Sequence, residues 1–498
     1  MKTKVALVNV RIEPRQYIPV GLLILAGFVE SICEVIVFDP DHEDNSLLEI
    51  IDFNPDIVAI GSMTLNYARA KQILSILKDT FGDTCRYVIG GVHPTLRPFE
   101  VFRETKVDAV VVGESEQALS DIILGKDLTK IPGVYAGQEL IIRPGLIENL
   151  DVLPLPGYHL MPDFYKYLRP PGTFRGTWQK KGTIVLMSAR GCPASCIFCS
   201  SHLMFGRRIR RRSVDNVIFE INYLLEKYGK TSFWFADDTF TYQKQWVYEF
   251  CDKIKPLDIV WGCQARSDTI TDELVIKLKD AGCLQVDLGV ESGSDRVLKI
   301  LSKGETSDQH RNALNTLKRH HVRSLATFII GTPGETAEDV KLTKNLIKTT
   351  KPDVINVFYI TPFPDTALYN LVEERGLWIQ TSNTSSGIHD RPVIADTLSE
   401  KDQIKFRYEL YAANRLRNIK GYLTLECVAG FVKTISLGSI GRFFNVLMKK
   451  NFHDAMYAYL QDYRNSFDGR ETRMLRLARS MMTEDNCHFA TLVAKHPD

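Results

Sequence analysis

The sequence predicts an α/β protein: a doubly wound, Rossmann-like (flavodoxin-like) domain, then a partial (β/α)6 barrel, then a helical C-terminal region. Short β-branched runs alternate with helical patterns over residues 1–130 and again over 183–380. A proline-rich passage, 131–182, separates the two series and is expected to be a linker. From 381 to 498 the pattern changes to helices with polar turns.

Composition excludes some classes of protein. The chain has 498 residues, a formal net charge of +2, 44% apolar and 24% charged residues, which are ordinary values for a globular protein. This charge supplies no global attraction to nucleic acid or anionic membrane. The first residues lack the apolar core of a signal peptide, and no apolar run approaches the ~20 residues of a membrane-spanning helix. With seven scattered cysteines best interpreted as reduced thiols, we expect a cytoplasmic protein without a transmembrane segment.

The N-terminal series contains five runs that are typical of buried parallel strands. They are residues 4–10, 33–39, 56–64, 87–92 and 108–113. Helical patterns such as "PVGLLILAGFVES" lie between them, which indicates a doubly wound sheet. A ligand of such a sheet is expected at the carboxyl ends of the strands.

Prolines are dense from 150 to 172, in "LDVLPLPGYHLMPDF" and "YLRPPG". Proline interrupts central strands and helix interiors, so this passage is predicted to be a linker or a strap that crosses the structure.

The second series contains six strand-like runs separated by helical patterns. They are residues 183–189, 232–240, 259–266, 284–293, 325–334 and 354–363. One intervening helix is predicted over 213–228, with Ser213 as its N-cap and Gly229 as its stop. Six successive βα units predict an open or partial barrel, in which the chemistry collects at the carboxyl ends of the strands.

The C-terminal region contains two helical stretches of different character. The stretch "SEKDQIKFRYELYAANRLRN" is amphipathic and well capped. The stretch around 422–448 is more apolar, and three glycines interrupt it. Core packing is the favoured interpretation of this second stretch, over a wall for an apolar substrate or a helix on a membrane surface.

Three cysteines lie in "SARGCPASCIFCSS", immediately after the first strand of the second series: Cys192, Cys196 and Cys199. From the residues alone, they could hold zinc with His202 as a fourth ligand, hold a [4Fe–4S] cluster with one open iron, or form a structural trio of thiols. The iron–sulfur interpretation is the favoured one.

The spacing C-x3-C-x2-C, with Phe198 directly before the third cysteine, resembles the signature of the radical S-adenosylmethionine (SAM) enzymes. The resemblance implies that Cys192, Cys196 and Cys199 hold a [4Fe–4S] cluster whose open iron binds the amino and carboxylate groups of SAM. It also implies that one electron from the cluster cleaves SAM to a 5′-deoxyadenosyl radical. Such chemistry needs a barrel that shields the radical from solvent.

The same resemblance assigns SAM contacts at successive strand ends. They are Phe198, Asp237, Asp238, Arg266, Gly289, Glu291 and Gly331. Arg266 is expected to pair with the SAM carboxylate, because a guanidinium matches that geometry. Glu291 is expected to accept hydrogen bonds from the amino group or the ribose hydroxyls. Judged without the resemblance, Asp237 and Asp238 are helix caps more often than ligands.

Residues 361–366, "TPFPDT", resemble a "PFPGT" signature of one subgroup, in which a cobalamin-binding α/β domain precedes the barrel. Asp365 stands where Gly is usual, a difference expected to alter this turn. Three N-terminal segments, "GSMT", "GGVHPT" and "VGESEQAL", resemble the cobalamin-contacting segments of that subgroup. They assign as contacts Ser62, Met63, Thr64, Gly90, Gly91, His93, Gly113 and Glu114.

One common cobalamin signature is missing. No D-x-H-x-x-G motif follows the first strand, so the cobalt is expected to lack a histidine ligand from the protein. His42 follows the second strand at the wrong spacing and is interpreted as a solvated loop residue. A domain of this type that binds nothing, or binds another nucleotide, is the alternative.

By this resemblance, the leading hypothesis is methylation of an unactivated carbon of a small-molecule substrate, with methylcobalamin as the methyl donor. One alternative is oxidative cyclisation or rearrangement without net methyl transfer, as in anaerobic tetrapyrrole cyclases. Another is a zinc-stabilised, cobalamin-binding regulatory protein. The usual electron donor of relatives is a flavodoxin or ferredoxin.

A basic run, "GRRIRRRS" (206–213), follows the cysteines. It is short and has no interleaved aromatic residues, which disfavours nucleic-acid binding. Its arginines are expected to pair with acidic side chains or with groups near SAM.

Overall fold

The computed structural model of the chain describes most of the first 414 residues. The described ranges are 2–10, 18–40, 46–162, 164–168, 183–229, 232–379, 391–414 and the single residue 417. His42 and the apolar stretch around 422–448 lie outside the described residues. No helix within these ranges is long and apolar enough to cross a membrane.

The first sheet has six strands in the order β2-β1-β3-β4-β5-β6. They are β1 (Lys4–Val8), β2 (Glu34–Phe38), β3 (Ile57–Gly61), β4 (Arg86–Gly90), β5 (Ala109–Val111) and β6 (Val134–Tyr135). The first five are parallel, in the flavodoxin order, and confirm the five predicted strands. The antiparallel edge strand β6 was not predicted. The strand order reverses between β1 and β3, which is where such sheets bind ligands.

Helices cover both faces of this sheet, as expected for a doubly wound domain. They are α1 (Val20–Val29), α2 (Ser46–Phe53), α3 (Tyr67–Phe81), α4 (Val92–Leu96), α5 (Pro98–Thr105) and α6 (Glu116–Ile123). Buried residues of α1 and α6 pack on one face, and those of α2, α3 and α5 pack on the other.

The proline-rich passage is a crossing strap over its described part. Tyr158, Met161 and Phe164 are buried in the core that also contains the α1 face of the first sheet. The Tyr158 hydroxyl donates to Glu220 of the second sheet's layer at 2.5 Å. The strap ends in the short helix α7 (Phe164–Tyr167). It therefore contributes core residues between the two sheets and is more than a connecting linker.

The second sheet has six parallel strands in sequential order, and a two-residue ribbon projects beyond its first strand. The six strands are β7 (Thr183–Leu186), β10 (Ser232–Phe235), β11 (Val260–Ala265), β12 (Cys283–Glu291), β13 (Arg323–Ile330) and β14 (Val354–Tyr359), and the ribbon consists of β8 (Ala189–Arg190) and β9 (Arg210–Arg211). β8 and β9 form the antiparallel ribbon. Among the described residues, β7 and β14 are the two edges of the main sheet and do not pair, so the predicted partial barrel is open.

The helices of this part alternate with the strands. They are α8 (Ser201–Phe205), α9 (Val214–Tyr228), α10 (Lys244–Ile254), α11 (Asp272–Asp280), α12 (Asp295–Ile300), α13 (Ser307–Arg319), α14 (Ala337–Thr350), α15 (Ala367–Arg375) and α16 (Glu400–Ala413). The helix predicted over 213–228 is confirmed: the Ser213 side chain caps α9, and Gly229 follows its last residue with φ 74°. Both sheets lie in one compact unit of the chain.

Candidate functional site

The three cysteines lie on one loop, residues 191–209, which we call the Cys loop and which runs from β8 to β9. Gly191 begins it with φ 94°, and a Cβ at this position would lie 2.3 Å from the carbonyl oxygen of Arg208. Only glycine combines this conformation with so close an approach of the two ends of the loop. The backbone N–H of Cys192 then donates to the Gly206 carbonyl at 3.3 Å.

The middle of the Cys loop is held against the second sheet by backbone bonds and apolar contacts. The N–H of Ile197 donates to the Leu301 carbonyl at 3.0 Å, and the Ile197 carbonyl accepts from the N–H of Leu368 at 3.0 Å. Ile197 and Phe198 pack against a small core cluster that contains Leu301 and Leu368. Phe198, predicted as a SAM contact, therefore helps to hold the Cys loop against the second sheet.

The thiols are partly shielded from solvent, and two cations lie near two of them. Cys196 is buried, and Cys192 and Cys199 are half-buried. Burial raises the pKa of all three thiols, to about 11 for Cys199, while the positive charges of Lys303 and Arg266 act in the opposite direction on Cys192 and Cys196. In the part of the chain that the structure describes, no three His, Cys, Asp or Glu side chains are arranged to hold a single metal ion.

Four charged side chains, Arg266, Glu291, Lys303 and Glu305, form what we call the charge cluster. Lys303 Nζ lies 3.1 Å from Glu291 Oε1 and 3.4 Å from Glu305 Oε2, and Arg266 Nη2 lies 3.4 Å from the same Glu305 oxygen. Arg266 follows β11, and Glu291 ends β12, so both predicted residues lie at the carboxyl edge of the sheet. The cluster itself holds two positive and two negative charges, and Asp268 adds a third carboxylate, 3.0 Å from Arg266 Nη2.

The charge cluster is almost fully buried. Lys303 is 7% exposed and Glu305 is 5% exposed. Burial alone would lower the pKa of Lys303, but the charges of Glu291, Glu305 and Cys196 outweigh it and raise the pKa. The Oε2 atom of Glu305 is buried and accepts no hydrogen bond. A Cβ at Gly289, another predicted contact, would lie 3.0 Å from Lys303 Nζ, so the small residue leaves room for this lysine.

Sequence reasoning missed Lys303 and Glu305, and also His310. His310 is fully buried, its Nδ1 lies 2.7 Å from Ser267 Oγ, and burial followed by the charges of Lys303 and Arg266 lowers its pKa to about 3. It is therefore neutral at neutral pH. The signal in the sequence that could have pointed to these residues is the polar stretch "SKGETSDQH" (302–310), with a glycine as its third residue. A single sequence does not distinguish such a stretch from an exposed turn.

The other predicted SAM contacts differ in what they touch. Asp237 is buried and accepts bonds from Ser188 and from the N–H of Ala189 at 3.1 Å, so it fixes the turn between β7 and β8. Asp238 is exposed and accepts a bond from the Ser201 hydroxyl. Gly331 has φ 89°, and a Cβ there would lie 2.1 Å from the side-chain oxygen of Gln403 on α16. The backbone conformation and the packing of Gln403 therefore both favour glycine at this position.

The carboxyl edge of the first sheet joins two of the predicted cobalamin segments. The N–H of Ser62 donates to the Gly90 carbonyl at 2.8 Å, and the N–H of His93 donates to the Ser62 carbonyl at 3.3 Å. Gly91 has φ 104°, and a Cβ there would lie 2.5 Å from the Ser62 carbonyl oxygen. Met63 is 43% exposed, whereas Ser62 and His93 are buried. This edge consists mainly of peptide groups and small side chains.

His93 is packed within this edge. Its Nδ1 lies 3.2 Å from the Thr64 hydroxyl, and its ring is 4.2 Å, centroid to centroid, from that of Tyr67. Burial lowers the pKa of His93 to about 4, so the imidazole is neutral at neutral pH. Its Nε2 atom is buried and has no hydrogen-bond partner.

The two carboxyl edges meet through the segment that follows Gly91. The Thr95 hydroxyl lies 3.5 Å from the sulfur of Met204, in the helix within the Cys loop. Arg97 Nη1 lies 2.5 Å from Asp365 Oδ1, and its guanidinium is 5.0 Å from the ring centroid of Tyr369. Asp365 has φ 60°, in the left-handed region that favours glycine, and whether the turn differs from that of the subgroup stays a prediction.

The third predicted cobalamin segment contains a glutamate, Glu114, that forms buried ion pairs. Glu114, after Gly113, accepts two bonds from Arg210, at 2.7 and 3.0 Å, and lies 3.2 Å from Arg190. The N–H of Ile147 donates to it as well, at 2.7 Å. Both carboxylate oxygens are therefore occupied by protein groups, an arrangement that does not support Glu114 as a cobalamin contact.

The basic run behaves as expected of a strap with acidic partners. Arg208 pairs with Glu148, Arg210 pairs with Glu114, and Arg212 pairs with Glu220. Arg211 is buried with its guanidinium 4.4 Å from the ring centroid of Trp246.

Comparison with known proteins agrees with the two-part architecture. The profile of the radical SAM superfamily matches residues 186–347, and the profile of the B12 binding domain matches residues 12–123. An uncharacterized methyltransferase of Pyrococcus horikoshii is 35% identical over 367 residues, which are 70% of this chain and 77% of that protein.

A second relative and a solved structure extend the comparison. The anaerobic magnesium-protoporphyrin IX monomethyl ester cyclase of Rubrivivax gelatinosus is 29% identical over 366 residues, covering 70% of this chain and 64% of that enzyme. The structure of the radical SAM methyltransferase TsrM of Kitasatospora setae, with cobalamin and a [4Fe–4S] cluster bound, superposes with a TM-score of 0.64. That match covers 80% of this chain and 83% of TsrM at 18% identity, and it bears on the fold alone.

Proposed function

Because this chain belongs to the radical SAM enzymes that carry a B12-binding domain, we propose that it methylates an unactivated carbon of a small-molecule substrate. The observation that carries the proposal is the meeting of the two carboxyl edges, where Thr95 lies against Met204 of the Cys loop. Ligands held at both edges would therefore lie close to one another.

The Cys loop suits an iron–sulfur cluster. Cys192, Cys196 and Cys199 are three soft donors on one short loop, partly shielded from water, and a cluster held by three thiolates keeps one iron open. The positive charges of Lys303 and Arg266 act on Cys192 and Cys196 and partly offset the rise in thiol pKa that burial causes. The zinc alternative would require His202, in α8, as a fourth ligand.

The charge cluster suits the amino-acid end of SAM. Glu305 Oε2 is buried and accepts no hydrogen bond, so it can accept one from an ammonium group. Glu291 is close to Glu305, because Lys303 pairs with both carboxylates. Lys303 and Arg266, the latter already paired with Asp268, are the cations nearest to a carboxylate bound there. We expect Asp238, Gly289 and Gly331 to shape the surroundings of SAM.

The edge of the first sheet suits cobalamin. Ser62, Met63 and Thr64 follow β3 at the switch point of the sheet, and we expect them to line the corrin ring. Gly90, Gly91 and Gly113 would admit the nucleotide tail close to the backbone. His93, neutral and with Nε2 unpartnered, can donate or accept one hydrogen bond there.

Cys192, Cys196 and Cys199 would hold a [4Fe–4S] cluster that, when bound, would supply the electron for cleavage of SAM to a 5′-deoxyadenosyl radical, and the edge of the first sheet would hold methylcobalamin as the source of the methyl group. The role of this chain is to bind and orient these groups at the two edges and to exclude water from them. A flavodoxin or ferredoxin is the expected electron donor.

Anaerobic reconstitution tests the proposal. The protein should bind iron, inorganic sulfide and cobalamin, and should cleave SAM to 5′-deoxyadenosine under a low-potential reductant. Replacing Cys192, Cys196 and Cys199 by alanine should abolish cluster binding and SAM cleavage. Wild-type protein without inorganic sulfide, or a triple variant that still cleaves SAM, would refute the cluster and the function built on it.

Labelled SAM separates methylation from the second candidate, an oxidative cyclisation, which the cyclase relative favours. With SAM that carries a trideuterated methyl group and a metabolite extract as the substrate pool, methylation predicts a new product that retains the label. A new product without the label would indicate the cyclase. A colourless protein that contains zinc and no sulfide would indicate the zinc-stabilised regulatory protein.

A further inference from the structure

Two arginines close the neck of the Cys loop. Arg190 is the last residue of β8 and Arg210 the first of β9, and they face each other across the ribbon. Both side chains extend to the turn after β5 in the first sheet, where Glu114 and Glu116 lie. We call these four residues the neck network.

The neck network is a closed and buried set of ion pairs. Both terminal nitrogens of Arg210 donate hydrogen bonds to the Glu114 carboxylate, at 2.7 and 3.0 Å. Arg190 lies 3.2 Å from Glu114 and 2.5 Å from Glu116. All four side chains are at most 6% exposed, and two positive charges face two negative ones.

Such a network contributes orientation more than stability. A buried ion pair gains little over a well-packed apolar pair, because removing the charges from water offsets their attraction. A guanidinium held by both nitrogens nevertheless has a fixed direction relative to its carboxylate. Here the ion pairs connect both ends of the Cys loop to the residues that follow β5. These residues lie next to the segment 90–95, since the N–H of Gly113 donates to the Thr95 hydroxyl.

We propose that Glu114, Glu116, Arg190 and Arg210 are positioning residues that set the separation between the cluster on the Cys loop and cobalamin at the first sheet. This inference rests on the proposed function. The proposed reaction needs both cofactors to face the same substrate carbon, and a displacement of about 1 Å can cost as much as ~100-fold in rate. A rigid link between the two cofactor-bearing edges would prevent such displacements.

The test compares Glu114→Gln in the full-length chain with Asp339→Asn as a matched control. Asp339 is also buried and also pairs with an arginine, Arg296, but its partners lie within the second sheet's layer. Hydrogen exchange without cofactors is measured first. Peptides from 191–209 should exchange ~10-fold faster in Glu114→Gln, because one buried arginine pair is broken, and should be unchanged in Asp339→Asn.

The second measurement uses reconstituted protein poised so that cob(II)alamin and the reduced cluster are both paramagnetic. The spin relaxation of cob(II)alamin reports its distance from the cluster. It should change in Glu114→Gln at unchanged iron and cobalamin content, and stay at the wild-type value in Asp339→Asn. If Glu114 only stabilised the fold, the spin relaxation of cob(II)alamin would stay at the wild-type value in Glu114→Gln.

Three results would overturn the inference: unchanged exchange in 191–209, faster exchange with unchanged relaxation, or loss of cobalamin alone, which would make Glu114 a direct contact. If Glu114→Gln fails to fold, Glu116→Gln replaces it, because this variant keeps the ion pair between Glu114 and Arg210. It should give smaller changes in exchange and relaxation, and wild-type values of both would overturn the proposal. If wild-type protein binds neither cofactor, the proposed function fails, and hydrogen exchange alone decides whether the neck network restrains the loop.

Discussion

The carboxyl edges of the two sheets are built from different chemical groups. The edge of the second sheet presents buried charged side chains, with Lys303 between Glu291 and Glu305. The edge of the first presents peptide groups, brought together where Gly91 lies against Ser62. By the proposed function, the charged edge would recognise its ligand by charge, and the backbone edge would admit its ligand by leaving space.

The difference decides how each edge can fail. A buried charge depends on partners from distant parts of the sequence, and it becomes costly when one partner is removed. A close approach of two backbones depends on one residue that lacks a Cβ, and it fails by steric overlap. The two edges can therefore be tested separately, and the contact between them after that.

Lys303→Met should have the largest effect, because it leaves Glu291 and Glu305 facing each other with only Arg266 nearby. We expect a loss of about 3–5 kcal/mol in the free energy of unfolding, measured by denaturant titration, together with loss of SAM binding. Lys341→Met is the control: Lys341 pairs with Glu338 at the surface, both 71% exposed, and should cost under ~0.5 kcal/mol. Equal effects at the two lysines would show that the charge cluster is not a buried network.

Glu335 gives the charged edge a pH dependence. It is buried, accepts a bond from the N–H of Gly331 at 2.7 Å, and burial raises its pKa from 4.5 to about 8. Between these values the native protein holds a proton that the unfolded chain has lost, so this group makes stability fall as pH rises. Wild type should therefore lose up to a few kcal/mol in the free energy of unfolding, relative to Glu335→Gln, between about pH 5 and about pH 8.5.

The measurement is the midpoint of denaturant unfolding for both proteins across this window. Glu338→Gln, a 71% exposed neighbour on α14, should leave the pH profile as it is in wild type. A wild-type profile parallel to that of Glu335→Gln would mean that this carboxyl ionises as easily in the native protein as in the unfolded chain.

Gly91→Ala tests the backbone edge. The new Cβ would lie 2.5 Å from the Ser62 carbonyl oxygen at a φ of 104°, so we expect a loss of about 2–4 kcal/mol and weaker cobalamin binding. Gly125→Ala separates strain from overlap, since Gly125 has φ 74° with no atom within 4 Å of the added Cβ, and it should cost only ~1 kcal/mol. Thermal unfolding measures both losses. If the two variants lose the same amount, close approach at Gly91 is not what shapes this edge.

Local patterns in the sequence were sufficient for the framework of the fold. All eleven predicted strands are present, and α9 begins and ends at the residues its caps indicated, because strand periodicity and capping depend on near neighbours. The strand β6 was missed because two residues are too few to show a period, and its pairing with β5 is a tertiary contact.

The site was predictable only as far as its motifs reach. The Cys loop and the strand-end residues Arg266 and Glu291 follow from a motif and its register. Lys303 and Glu305 could not be recognised, because charged residues in a polar turn are usually exposed and only the folded chain buries them. The cobalamin contacts and SAM contacts remain predictions, since they depend on ligands.

The exposed pair of Arg97 and Asp365 links the two edges and should have the smallest effect. Their side chains are 25% and 47% exposed, so solvent screens the pair, and a double-mutant cycle with Arg97→Met and Asp365→Asn should give a coupling of ~0.2–1 kcal/mol that falls at high salt. Asp365→Gly should be tolerated, because glycine adopts a φ of 60° without strain and so offsets the lost pair. Denaturant unfolding at low and high salt provides both quantities. A salt-independent coupling above about 2 kcal/mol would place this contact with the buried ion pairs of the second edge, and the contrast between a charged edge and a backbone edge would then not extend to their boundary.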